Sequence, residues 1–147
     1  MTEPTVEAMM TDLVDTLNDY MPELLGRVTW GPPESTPVSL CIWIEYGPVV
    51  VEYGLMEVAT HGCRIVVAVG RQGDYPGEYR TVTAQAQKVH WALMPECILA
   101  DEAVVTGLLV NPAGGSSYAG QQDALVTAVV DITIETKQQS VPEVLET

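Results

Sequence analysis

Four side chains able to bind a soft metal lie between residues 61 and 97: His61, Cys63, His90 and Cys97. Together they have the composition of a zinc set. Their spacing is wrong for one, because the pairs read His-x-Cys and His-x6-Cys, and structural zinc pairs sit two to four residues apart. His90 adjoins an apolar helical stripe and Cys63 opens a strand pattern, so both are expected to be partly buried, satisfied groups. Nucleophilic chemistry fares no better. Ser116 and Ser117 lack the Gly-x-Ser-x-Gly turn of hydrolases, and Cys41 and Cys63 fall within strand patterns, where a thiol behaves as a small hydrophobe. The adjacent carboxylates Asp101 and Glu102 fall in a helix-to-strand connection, where solvation accounts for them. Gly114, Gly115, Ser116 and Ser117 resemble a phosphate cradle. They lack the following Lys and join two strands, so no helix dipole is aimed at an anion. No acid, base and nucleophile converge on one readable spacing. The sequence therefore predicts no catalytic residue, no metal and no cofactor, and a role other than that of an enzyme.

The elements that would carry any other function are easier to read. Val6, Met9, Met10, Leu13, Val14, Leu17 and Met21 recur at helical spacing, with acids off the stripe. Pro22 should stop this helix, and Gly26 can close the turn that follows in the left-handed region. An acidic polar face favours packing on a sheet over lying on a membrane. Residues 27–30 form a short strand candidate, followed by a Pro-rich loop at residues 31–37. Residues 38–46 alternate as a strand, Gly47-Pro48 reads as a turn, and residues 49–53 as another strand. Residues 55–60 are ambiguous between pairing and looping, and His61-Gly62 reads as a bend. Residues 63–69 are apolar on both faces, as expected of a central covered strand. A second helix is expected from about Glu78 to Met94, with Tyr79, Val82, Ala86, Val89 and Leu93 on its stripe and Pro95 as its stop.

A closing hairpin completes the chain, with arms at residues 104–110 and 125–136. Val126, Ala128, Val130, Ile132 and Ile134 alternate with polar residues in the second arm, which makes it half-buried. Strands clustered between helices point to an α+β fold, with an antiparallel or mixed sheet of about five to six strands. The N-terminal and central helices pack on that sheet. A single domain should span residues 1–137, with a loosely ordered tail at residues 138–147.

Composition sets the remaining bounds. Of 147 residues, 47% are hydrophobic and 18% charged, which argues for a globular core and against disorder. Acids outnumber bases 20 to 6, a formal charge of −14 that disfavours wrapping nucleic acid. Such a surface still suits solubility, or a wall past which DNA slides without sticking. No apolar run is long enough for a membrane helix, and the acidic N-terminus is unlike a signal peptide. Three unpatterned cysteines fit a reducing cytoplasm.

Contact candidates follow from the loops. The polar stretch at residues 70–77 offers Arg71, Gln72, Asp74 and Tyr75. The stretch at residues 111–122 reads as a long hairpin loop and offers Asn111, Ser116, Ser117, Tyr118, Gln121 and Gln122; loops of that length usually have a role. Trp43 projects from the strand face opposite the main stripe and needs cover, either from the first helix or from a partner subunit.

Three stretches together carry a resemblance. They are the N-terminal amphipathic helix ending near Leu25-Gly26, the Pro-rich loop and strand at residues 31–46, and the run VVAVGRQGDYPGEYRT from Val66, which leads into a helix and the closing hairpin. In order and texture the chain resembles the tail terminator, or tail-completion, proteins of long-tailed bacteriophages; neighbouring head–tail connector and neck proteins share much of this layout. The resemblance implies a virion protein made in the host cytoplasm and placed at the head-proximal end of the tail. It implies a homo-oligomer, a six-fold ring that caps the tail tube protein, meets a connector or neck protein, and lets DNA pass without specific binding. The contact candidates above then become subunit or tube contacts. A cytoplasmic small-molecule binding module is the alternative from another class.

Overall fold

The computed structural model describes residues 5–35, 37–93, 97–99, 103–118 and 121–139, with the backbone alone at residues 75, 108–118, 121–124 and 138–139. Helix α1 spans Val6–Tyr20. Thr5 caps it, its hydroxyl accepting from the Ala8 N–H at 3.0 Å. Pro22 ends it as expected: one 3₁₀ turn follows at Pro22–Leu24, and Gly26 takes a φ of +83°. Helix α2 spans Tyr75–Ala92, three residues earlier than its stripe suggests. Asp74 is its cap, accepting from the Gly77 N–H at 3.3 Å, and a proline in the first turn suits the missing donor there.

Among the described residues, six strands form one mixed, curled sheet in the order β1-β2-β3-β6-β5-β4. They are β1 (Val28–Trp30), β2 (Cys41–Glu52), β3 (Met56–Gly70), β4 (Ile98–Leu99), β5 (Ala103–Tyr118) and β6 (Gln121–Gln139). Among the described residues only the β1–β2 pairing is parallel. The α+β architecture, the two helices and the long C-terminal hairpin are those expected from the sequence. Strand β3 is central, between β2 and β6, as its two-sided apolarity requires.

Three sequence readings change. Gly47-Pro48 is not a turn: β2 runs through it, with a cis peptide, Gly47 at φ +112° and a register shift between Tyr46 and Val49. Residues 56–62 are neither loop nor bend: β3 pairs without interruption from Met56 to Gly70 against β6. The stretch at residues 111–122 is no long loop either. Strand β5 continues to Tyr118, which pairs with Gln121, and three register shifts accommodate the Gly and Pro residues. Strand β6 likewise runs to Gln139, paired with Met56, while residues 140–147 of the expected tail, and Pro95, lie outside the described residues.

The core lies between the helices and one sheet face. Met9, Met10, Leu13 and Leu17 of α1 and Val82, Ala86 and Val89 of α2 pack on Ile42, Ile44, Ile65, Val67 and the even residues of β6 from Val126 to Ile134. At about 25 cal/mol per Å² of apolar surface removed from water, each such fully buried side chain stabilises by roughly 1.5–3 kcal/mol. A smaller cluster, Trp43, Val66, Ala68 and Leu125, lies on the other face.

Candidate assembly surfaces

Past the cis Gly47-Pro48 bulge, β2 and β3 leave the helices and form a projecting hairpin, the arm. The cause is local. Helix contacts to the sheet involve β1, β3, β4, β5 and β6, and none of the buried core residues falls between Ile44 and Ala59. The arm is apolar all the same. Val49, Val50, Val51, Tyr53, Leu55 and Met56 are all exposed, with Tyr53 at 78% and Leu55 at 85%. Sheet surface that no layer covers and that still carries large apolar side chains marks a contact surface.

A buried polar network ties the arm's base to the body. His61 is 5% exposed, and both its ring nitrogens are engaged: Nδ1 with the Tyr46 hydroxyl at 2.5 Å and Nε2 with the Thr136 hydroxyl at 3.0 Å. The network joins β2, β3 and β6 on the helix side of the sheet. Each buried polar group there has a partner, which is the condition for such a cluster to stabilise. The imidazole is therefore occupied as a structural link. Cys63, two residues on, is buried, and desolvation pushes its thiol up to about 11, only partly offset by a hydrogen bond from the Gly47 backbone. Burial also raises the thiols of Cys41 and Cys97. These are the reverse of an activated nucleophile. Among the described residues, no three His, Cys, Asp or Glu side chains gather as a metal site.

The stretch before α2 is wired locally. The Gln72 N–H donates to Glu78 Oε2 at 2.7 Å, and the Gln72 side chain donates to the Val38 carbonyl at 3.4 Å. Asp74 is spent on capping. Arg71, Gln72 and Asp74 keep exposed outer surfaces beside α2 and the Pro-rich loop. The Gly70 N–H donates to the Val38 carbonyl at 3.0 Å, which holds that loop to the end of β3.

Trp43 is 5% exposed, packed with Val66, Ala68 and Leu125, and its indole N–H donates to Glu45 Oε2 at 2.9 Å. Among the described residues its apolar neighbours are strand side chains rather than those of α1, and little of the ring is exposed. The side chains of Tyr75, Asn111, Ser116, Ser117, Tyr118, Gln121 and Gln122 lie outside the described residues; their backbones place Tyr75 in the first turn of α2, Asn111 midway along β5 opposite Val129, and the others near the far end of the β5–β6 hairpin.

The two hairpins thus project from opposite ends of the sheet. Tyr53 and Leu55 cap one end, where β6 reaches Gln139, and the Tyr118–Gln121 pair closes the other, beyond Gly70 and Leu125. The sequence points to the second of these as a contact and misses the first. The signal was available: Val49–Val51, Tyr53 and Leu55 flank a Gly in a stretch with no helical stripe to pair with.

No family model matches this chain, and no curated protein sequence does. Among solved structures, a chain of one titled "Virion of native gene transfer agent (GTA) particle" has a TM-score of 0.55 to it at 16% identity, covering 89% of this chain and 96% of that one. The likeness is one of fold. It takes in nearly the whole of both chains, with little unmatched on either side.

Proposed function

We propose that the chain is a structural protein of a phage-like virion, and within that class a tail terminator subunit. In this reading copies of it close a six-fold ring on the end of the tail tube, stop tube growth and offer a surface to a connector or neck protein of the head. The observation that carries the reading is the shared fold with a virion chain over almost the full length of both. Two features suit it. Large apolar side chains stand uncovered on the arm, as in a subunit made for assembly. The excess of 20 acids over 6 bases keeps DNA from adhering to a ring it must pass through. Arg71, Gln72, Asp74 and Tyr75, with the far end of the β5–β6 hairpin, are the proposed contacts to neighbours or to the tube.

The test is light scattering with negative-stain imaging, alone and with purified tail tubes. Six copies of 15.9 kDa give a closed ring of about 95 kDa, and tubes incubated with the protein acquire a capping density at one end. A protein that stays monomeric at high concentration and caps no tube overturns the reading. Binding to portal or head-completion rings in place of tubes would make it a connector. A thermal shift with a small molecule and no assembly would make it a binding module.

A further inference from the structure

We infer that the hollow beneath the Pro-rich loop is a binding site for a carboxylate carried on an apolar body. The inference stands apart from the ring reading and holds whether or not copies assemble. The hollow measures about 390 Å³ and lies between the loop and the face of β1 and β2 turned away from the helices. Ligand pockets occupy roughly 300–1,000 Å³, so it is a small one. Its floor follows from strand alternation. Val28 pairs with Ile42 and both are buried under the helices, so Arg27 and Thr29 line the opposite face with Trp43. Its roof is held at both ends. The Gly31 N–H donates to the Ile44 carbonyl at 2.9 Å, and the Gly70 N–H holds Val38. The approach at Gly70 is close: a Cβ there would meet the Val38 Cα at 2.8 Å, so the loop rests directly on the end of β3. Pro32, Pro33 and Pro37 fix φ along the span. A loop pinned and stiffened in this way is kept from settling onto the strands, and the space beneath it stands open.

The lining specifies the ligand. Arg27 lines the hollow, and among the described residues no acid does. Arg64, Lys88 and Lys137 each stand on a carboxylate of their own chain, at 3.2, 3.6 and 3.4 Å, whereas the Arg27 guanidinium has no such partner among the described residues. The hydroxyls of Ser35 and Ser39 line the same space and are likewise unpaired there. A planar guanidinium with hydroxyls beside it suits a carboxylate, which accepts two parallel N–H bonds and further bonds from O–H groups. A single base balances one negative charge, which favours a carboxylate over a phosphate dianion. Around these donors the walls are apolar, from Pro33, Pro37, Leu40 and Trp43, so the body behind the carboxylate is apolar as well. Such a group comes either from a free small acid or from a Glu or Asp side chain of a protein segment.

Hexanoate titrated into the full chain at pH 7 and followed by amide NMR tests this, with hexanol and hexylamine as controls for the apolar body and the charge. Hexanoate should shift the amides around Arg27, Ser39 and Cys41 with a dissociation constant of about 1 mM, and the two controls should bind roughly tenfold more weakly. Arg27→Gln should abolish the preference for hexanoate over hexanol without moving the melting temperature, since the guanidinium has no partner in the subunit to lose. The inference is overturned if no amide shifts by about 10 mM, if hexanol binds as well as hexanoate, or if Arg27→Gln leaves the preference intact. Hexyl phosphate binding more tightly than hexanoate overturns the assignment to a carboxylate. Should Arg27→Gln unfold, the double variant Ser35→Ala and Ser39→Ala takes its place, and an undiminished preference there counts equally against the site. A Leu-Glu-Leu peptide capped at both ends separates the two sources. Tighter binding than hexanoate at the same amides assigns the carboxylate to a protein partner, weaker binding assigns it to a free small acid, and either result supports the site.

Discussion

Strand β2 has two halves of like composition in opposite environments. Residues 41–46, CIWIEY, put Ile42, Trp43 and Ile44 into the two clusters, while residues 49–53, VVVEY, leave every valine exposed. Both halves are β-branched, aromatic and broken by one acid. What separates them is the layer above: α1 and α2 cover the near half and stop short of the far one. Strand propensity decides that a segment extends, and a second layer decides whether it is core. The boundary falls at the Tyr46–His61–Thr136 network, where the last covered positions are polar but fully partnered.

The contrast can be broken by mutation, starting from the largest expected effect. Ile65→Ala, at a side chain with no exposure under the helices, should cost about 2–5 kcal/mol in urea unfolding. At the boundary, Tyr46→Phe strands one nitrogen of a buried imidazole and should cost roughly 1–3 kcal/mol by the same measurement. Cys63 sharpens the line through pH. The fold holds its thiol neutral up to about 11, whereas an unfolded thiol ionises near 9. The folded state then binds the extra proton between those values, so stability falls as pH rises from about 9 and levels off near 11. Cys63→Ala should flatten that limb relative to wild type in melts taken across the range. Beyond the boundary, Val50→Ala and Leu55→Ser should stay within about 0.5 kcal/mol of wild type as monomers, since both side chains are mostly exposed in the subunit. A large cost there would mean that the arm is core after all.

Much of this fold is legible in the sequence where one period persists. The stripe from Val6 to Met21 marks α1 to within a residue, because Pro22 removes the next turn and the apolar positions all find the sheet. The alternation from Val126 to Ile134 marks β6 and its buried face. Local turn chemistry misleads where pairing partners outweigh it. Gly47-Pro48, His61-Gly62 and Asn111-Pro112 all read as breaks. In the structure each is absorbed as a bulge or a paired position, with His61 held by groups 15 and 75 residues away. Non-local partners of that kind leave no trace in a window of ten residues. The candidate surface was half legible for the same reason. An exposed valine run and a buried one look alike until the extent of the helices is known.

The seam between β3 and β6 carries a consequence for how the chain reaches this state. The β2–β3 and β5–β6 hairpins are local, whereas the seam joins Met56 to Gln139 and Gly70 to Leu125 across the whole of α2. Loop-closure entropy makes such a pairing late and slow compared with the hairpins it unites. Until it closes, both hairpins present bare edges to every other chain being made. Mutual repulsion at −14 per chain holds those edges apart in that interval, so raising ionic strength during refolding should favour aggregation over the native subunit.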